Sequence, residues 1–264
     1  MEMNSGAGSF VAVGLGMMLG AHVTPRARSE IENADVVFGL VSDAIVEMWL
    51  RDMRGDMRSL QSFYAEGKLR TESYREMIEC MLLEVRAGRN VCGVFYGHPG
   101  VFSQVPHHAV RQARAEGYHA EMHAGISAED CLYADLGIDP GIYGCQHYEA
   151  SQLLLYRRMV DPSAYLVLWQ IAVVGDMSIT FRRATPRQLQ LLLSLLEGYG
   201  YSADHESILY EAATLPISSP RIERIPLSAL LEAELKLQST LVIPPARRLV
   251  PNVEMRQALL DDRL

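Results

Sequence analysis

Asn90-Val91-Cys92-Gly93-Val94-Phe95-Tyr96-Gly97-His98-Pro99-Gly100-Val101-Phe102 joins a mostly apolar, β-favouring run to a turn that no regular element contains. The run reads as a buried strand, and the Gly-His-Pro-Gly turn as its exit. In open α/β sheets ligands collect at the carboxyl ends of strands, and glycine lets a ligand approach the backbone without meeting a Cβ. An ordinary strand-to-helix turn would look the same on this stretch alone. Before it, residues 71–87 form a long helix broken by Gly88, with Tyr74, Ile78 and Met81 to Val85 as its expected buried stripe. After it, 104–116 reads as a helix stopped by Gly117, and 118–123 as a short strand. This alternation predicts a parallel α/β sheet.

Toward the N-terminus, residues 1–8 are small and polar and are expected to be a flexible leader. Ser9 to Gly14 reads as the first strand, running into Gly14-Leu15-Gly16-Met17-Met18-Leu19-Gly20. That glycine spacing misses the dinucleotide fingerprint, because position 19 is leucine and the last glycine falls at 20. Thr24 caps a helix opened by Pro25 and reaching about 34, followed by a strand at 35–39. A helix at 42–51, a short strand at 57–60 and a loop at 62–67 complete this half.

The boundary between domains is placed at 124/125, with Ser127 capping a helix to 136 and a Gly/Pro-rich loop at 137–144. Short strands follow at 146–149, 165–170, 207–211, 221–226 and 240–243, with a helix at 186–197 among them. Several adjoin prolines, as mixed or antiparallel sheets allow. The expected layout is therefore two α/β domains, 9–124 and 125–250, with a tail at 251–264.

The 264 residues are 49% hydrophobic and 21% charged, which is a globular composition with ample core. A net charge of -8 and a pI near 5.5 argue against a broad nucleic-acid surface, which rests on clustered Lys and Arg. Cys80, Cys92, Cys131 and Cys145 lack metal or redox spacing and read as buried thiols of a reducing compartment. No apolar run reaches membrane-spanning length, and the glycine-punctuated run at 10–21 lacks a signal peptide's basic flank. A cytoplasmic protein is expected, with no membrane partner.

Close in sequence to the opening stretch lie Tyr64, Arg70 and Tyr74. Arg70 and Tyr74 are four apart and share one side of a helical turn. A guanidinium beside a phenol favours phenolate, which would make a general base. The same spacing equally describes an amphipathic helix with its tyrosine in the core and its arginine snorkelling. His98 offers a base, a ligand or a hydrogen-bonding group, and a lone histidine is a poor metal site. His107 and His108 point apart on a helix, and His119 and His123 lie in a strand, so no zinc site is expected. Gln170 at a strand end, and Ser239-Thr240 before Leu241 to Pro245, must satisfy buried polar groups.

Tyr96-Gly97-His98-Pro99-Gly100-Val101-Phe102, residues 125–132, Tyr148-Glu149-Ala150-Ser151 and Ser239 to Pro245 together resemble the tetrapyrrole methylase superfamily. The likeness is nearest to its borosin peptide backbone α-N-methyltransferases and runs from Phe10 to about Arg248. It implies a two-domain, class III methyltransferase α/β fold with S-adenosylmethionine in the interdomain cleft and S-adenosylhomocysteine as product. Corrin-type members usually carry Gly-Asp-Pro where this chain has Gly97-His98-Pro99, and continue the first glycine turn into an acidic residue where this chain has Met17-Met18. Both departures favour the borosin branch.

By that resemblance Tyr64, Arg70, Tyr74 and Tyr96 form the catalytic group. Tyr74, tuned by Arg70, would assist removal of the amide proton, Tyr96 would donate to the carbonyl oxygen, and Tyr64 would position the peptide. Cofactor contacts carried over by motif are Gly97, His98, Pro99, Val101, Phe102, Ser127, Ala128, Gln170, Ala212, Ser239 and Thr240, with amides at Ser127 holding a carboxylate. No metal is required. Fungal members carry their substrate as a C-terminal extension, whereas the short, charged stretch 255–263 is not substrate-like. A split system is therefore expected, with a separate precursor peptide methylated in trans by an interlocked homodimer, two peptides making a heterotetramer. The competing expectations are a corrinoid or other small-molecule methyltransferase, an RNA methyltransferase disfavoured by charge, and a non-catalytic precursor-binding protein.

Overall fold

The computed structural model describes residues 8–41, 44–65, 68–176 and 182–261. The expected leader up to residue 7, the first two residues of the helix expected from 42, the end of the loop at 66–67 and the last three residues of the tail lie outside them. Among the described residues the chain divides into two compact units, one of residues 8–137 and 212–221, the other of 138–176, 182–211 and 222–261. The helix capped by Ser127 thus belongs with the first unit, although the sequence break was expected ahead of it.

The first unit carries β1 (Ser9–Gly14), α1 (Pro25–Asn33), β2 (Val36–Leu40), α2 (Ala44–Met53), β3 (Arg58–Ser59), a 3-10 turn (Gln61–Phe63), α3 (Arg70–Arg86), β4 (Asn90–Phe95), α4 (Gln104–Ala115), β5 (His119–Met122) and α5 (Ala128–Leu136). Its sheet runs β3-β2-β4-β1-β5, with parallel pairings throughout. β4 is central, Val91 lying opposite Phe10 on one side and Val36 on the other. Strand periodicity sends Val91 and Phe95 to the core under α3 and α4, and Cys92 and Val94 to the core under α1 and α2. Both faces are covered, so β4 is apolar without alternation. The sequence places the turn after Phe95 at the carboxyl end of this central strand, where an α/β sheet collects ligands.

The stripe of α3 differs from expectation. Ser73, Met77, Ile78, Met81, Leu82 and Val85 face the core, while Leu83 is 57% exposed and Tyr74 only half-buried. Five consecutive positions span more than one turn of helix, so residues 81–85 cannot all face one way.

The second unit carries α6 (Pro140–Tyr143), β6 (Cys145–Glu149), α7 (Ala150–Leu155), β7 (Tyr165–Trp169), α8 (Pro186–Gly198), β8 (Glu206–Glu211), β9 (Arg221–Pro226), β10 (Thr240–Ile243) and α9 (Val253–Asp261). Sheet order is β6-β7-β10-β8-β9, with β6 parallel to β7 and β10 antiparallel to both β7 and β8. Leu189, Leu192 and Leu196 of α8 pack in the same core as Leu166, Leu168, Leu209, Leu241 and Ile243. α6 lies where a loop was expected, started by Asp139 accepting from the Gly141 amide and by Pro140 at its first position. Among the described residues, no helix is long and apolar enough to cross a membrane.

Candidate active site

Two glycine turns meet at the end of the first unit's sheet. Gly16 and Gly97 exchange backbone hydrogen bonds, Gly16 N–H to Gly97 O at 3.1 Å and Gly97 N–H to Gly16 O at 2.9 Å. Gly97 has φ +64° and Gly16 φ +72°, backbone that L side chains resist. A Cβ on Gly125 would lie 3.1 Å from the Gly97 carbonyl oxygen and 3.5 Å from the His98 Cα, so the segment leading to Ser127 reaches the same turn. The first glycine pair is therefore a brace for the second. His98 Nδ1 accepts the Gly100 amide at 2.8 Å, which leaves Nε2 as the proton-bearing nitrogen of the neutral ring. Phe102 closes the turn at φ +49°, a left-handed conformation that costs a bulky residue of order 1–3 kcal/mol. Such strain clusters at ligand sites.

The phenols gather beside this turn. Tyr64 meets Tyr74 edge-on, with ring centroids 6.4 Å apart. Tyr64 also senses Arg70 and Tyr96, and Tyr96 senses Tyr74 and Arg70, so the four side chains share one electrostatic neighbourhood. Desolvation first, then Tyr74, drives the Tyr64 phenol well above its ordinary range, and Arg70 offsets only part of this. Tyr96 is pushed up for the same reasons, although half of its surface is open to solvent. Both are protonated donors at neutral pH. In a spectrophotometric titration, Tyr64→Phe should remove one late-ionising phenol; loss of an ordinary one instead would contradict this electrostatic account. The protonated form favoured by folding means that Tyr64 contributes stability below about pH 10, which is lost as pH rises through its folded value.

In the second unit, Gln170 follows β7 in a left-handed conformation, φ 57° and ψ 41°, and its Oε1 is buried without a hydrogen-bond partner. Register aligns Leu241 with Leu168 and Thr240 with Tyr210, so Gln170, Ser239-Thr240 and the end of β8 at Glu211 lie at one end of these strands. Of the expected cofactor contacts, His98, Val101, Ala128, Gln170 and Ala212 are partly accessible and Phe102 is 50% exposed. Gly97, Pro99, Ser127 and Thr240 are buried.

Ser239 and Ser127 carry internal hydrogen bonds. Ser239 is 0% exposed, its hydroxyl donating to Glu211 Oε1 at 2.7 Å and accepting the Lys236 amide at 2.8 Å. Its amide donates to Lys236 O and its carbonyl accepts the Ile171 amide, so Ser239 anchors the loop. The Ser127 amide donates to Asp130 Oδ2 at 2.6 Å in a capping box. That carboxylate occupies the amide expected to hold a ligand carboxylate.

Glu30, Glu121 and His123 bring ligand atoms within 4.8 Å of one another. His123 Nε2 contacts Glu121 at 3.0 Å, and Arg26 pairs with the same carboxylate at 3.3 Å. The His123 bond holds Glu121 below the usual carboxylate range. A metal on Nε2 would force the ring proton onto Nδ1, which is buried with no acceptor. The cluster is an ion-pair group at the sheet edge.

The family profile described as Tetrapyrrole (Corrin/Porphyrin) Methylases matches residues 9–230. The chain is 40% identical over 257 residues to the methyltransferase/ribosomally synthesized cyclic peptide gymnopeptides precursor of Gymnopus fusipes, covering 96% of this chain and 61% of that protein. It is 42% identical over 248 residues to a methyltransferase/ribosomally synthesized type I borosin cyclic peptide precursor of Coprinopsis marcescibilis, covering 92% and 63%. The chain thus spans about three fifths of the length of these curated relatives. Among solved structures, cobalt precorrin-4 methyltransferase, a cobalamin biosynthetic enzyme, superposes with a TM-score of 0.64 at 16% identity, over 89% of this chain and 94% of that one, a likeness of fold. With a parallel sheet ending in the braced Gly-His-Pro-Gly turn, and with this profile matching most of its length, the chain belongs to the tetrapyrrole (corrin/porphyrin) methylase family.

Proposed function

We propose that this chain methylates backbone amide nitrogens of a ribosomally made precursor peptide, supplied on a separate chain, using S-adenosylmethionine. The observation that carries the proposal is the Tyr64, Arg70, Tyr74 and Tyr96 group, set against the Gly97–Phe102 turn by the adjacency of Tyr96 and Gly97. The relatives' names, which join a methyltransferase to a cyclic peptide precursor, point to the same substrate class.

The residues present fit the cofactor. Within the first unit the strained Phe102 and the partly accessible His98, Val101, Ala128 and Ala212 are mostly apolar surface with few polar groups, and within the second unit Gln170 has a buried, unpartnered oxygen. S-adenosylmethionine, when bound, supplies an electrophilic methyl on a sulfonium. The substrate peptide supplies the nucleophile, and its nitrogen is a poor one because its lone pair is delocalised into the carbonyl. Tyr64 and Tyr96 are held protonated and serve as donors, and Tyr74, one helical turn from Arg70, is the group assigned to take the amide proton once its own proton has passed to solvent. Tyr96 donates to the carbonyl oxygen as imidate charge develops, and Tyr64 donates within the group to Tyr74. Positioning of the peptide against this group supplies much of the remaining acceleration.

The test incubates the whole chain with S-adenosylmethionine and candidate precursor peptides, and reads intact mass with fragmentation to place each methyl. Added mass on backbone nitrogens is the expected result. Methylation on side chains, or of a corrinoid in place of any peptide, overturns the proposal. We also propose a homodimer engaging two peptides; a monomeric native mass at micromolar concentration overturns that part.

A further inference from the structure

Tyr64 lies in the connection before α3, and its orientation depends on one peptide plane. The Phe63 carbonyl oxygen at one end of that plane accepts from Ser73 Oγ at 2.9 Å and from Lys68 Nζ at 3.3 Å. The Tyr64 amide at the other end donates to Gln61 O at 3.0 Å. Both polar ends of a rigid unit are tied down, so the backbone entering Tyr64 has little freedom left. Consecutive residues of α3 clamp consecutive residues of the loop: Ser73 takes Phe63, and Tyr74 meets the Tyr64 ring. Lys68 is in turn held by Glu76 of α3.

Ser73 is 1% exposed in the first turns of a helix where alanine would have the better propensity. A buried hydroxyl needs a partner, and the Phe63 carbonyl is the one it has. We infer that Ser73 is a positioning residue for the phenol group, with Lys68 as a second tether, together setting Tyr64 against Tyr74. The kinetic part of this inference rests on the proposed methyl transfer; the geometric part does not.

The test uses Ser73→Ala and Ser73→Thr in the whole chain, with 3-fluorotyrosine at position 64 read by fluorine NMR and methyl transfer read by mass. In Ser73→Ala the Tyr64 resonance should shift and broaden, and kcat should fall about tenfold with the KM for S-adenosylmethionine unchanged. Ser73→Thr, which keeps a hydroxyl, should restore both. Lys68→Met should give a smaller shift in the same direction, and it serves if Ser73→Ala does not fold. An unchanged resonance in Ser73→Ala, or in Lys68→Met where that variant stands in, overturns the inference. If the unmodified protein methylates no peptide, the function proposed above fails while the resonance still decides whether Ser73 positions Tyr64.

Discussion

Tyr74→Phe should lower the methyl-transfer rate by a factor of about 10² to 10⁴ while leaving S-adenosylmethionine affinity and thermal stability nearly unchanged. The substitution removes one oxygen and keeps the ring, which packs at the edge of the α3 core and edge-on to Tyr64. The fold therefore loses little, and the expected cofactor contacts lie on other side chains. What is lost, on the proposed function, is the group that takes the amide proton. Desolvation pushes Tyr64 and Tyr96 toward their protonated forms, which suits them to donate. Arg70→Ala should cost a similar factor, since the guanidinium is the positive charge that favours ionised oxygen in this group. Single-turnover mass spectrometry, paired with calorimetry for cofactor binding, separates these effects. Full turnover in both variants would remove Tyr74 as the base, and loss of cofactor binding in either would move its role from chemistry to structure.

The parallel half of the fold was legible because buried strands read as short apolar runs and stop at glycine or proline. β1 and β4 end at Gly14 and just before Gly97, and Thr24 and Ser127 cap their helices through side-chain oxygens. Where caps are absent, the boundaries blur. Leu69 and Glu149 precede α3 and α7 without a side-chain cap bond, so nothing in the sequence marks Arg70 as helical or 150–155 as a helix at all. The site was legible only where its pattern is local. Arg70 and Tyr74 show themselves at a spacing of four, but Ser73 bonds the Phe63 carbonyl from ten positions away and Ser239 bonds Glu211 from twenty-eight. Long-range hydrogen bonds have no periodicity to read. Phe102 and Gln170 adopt left-handed backbone without being glycine, so composition gives no hint of the strain that singles them out.

The second large effect is expected where no chemistry occurs. In Gly14→Ala the new Cβ would lie 2.2 Å from the Gly97 carbonyl oxygen and 2.9 Å from Pro99 Cδ. Neither neighbour is the far end of a flexible side chain: one is backbone bridged to Gly16, the other a proline ring within the turn. Overpacking against atoms that can repack costs typically 1–3 kcal/mol, and a clash with fixed backbone belongs at or above the upper end, about 3 kcal/mol. In a protein of this size that lowers Tm by roughly 6–12 °C. The relief open to the chain is to push Gly97 and Pro99 away from β1, which carries His98 and Val101 with them. Cofactor affinity should therefore fall in the protein that still folds, unlike in Tyr74→Phe. Gly198→Ala is the matching control, at the last position of α8 with nothing within 4 Å of the added carbon, and should hold or slightly raise Tm. Scanning calorimetry with and without S-adenosylmethionine reads both quantities. If Gly14→Ala melts like Gly198→Ala and keeps its cofactor stabilisation, the two glycine turns are not the brace that sets the site.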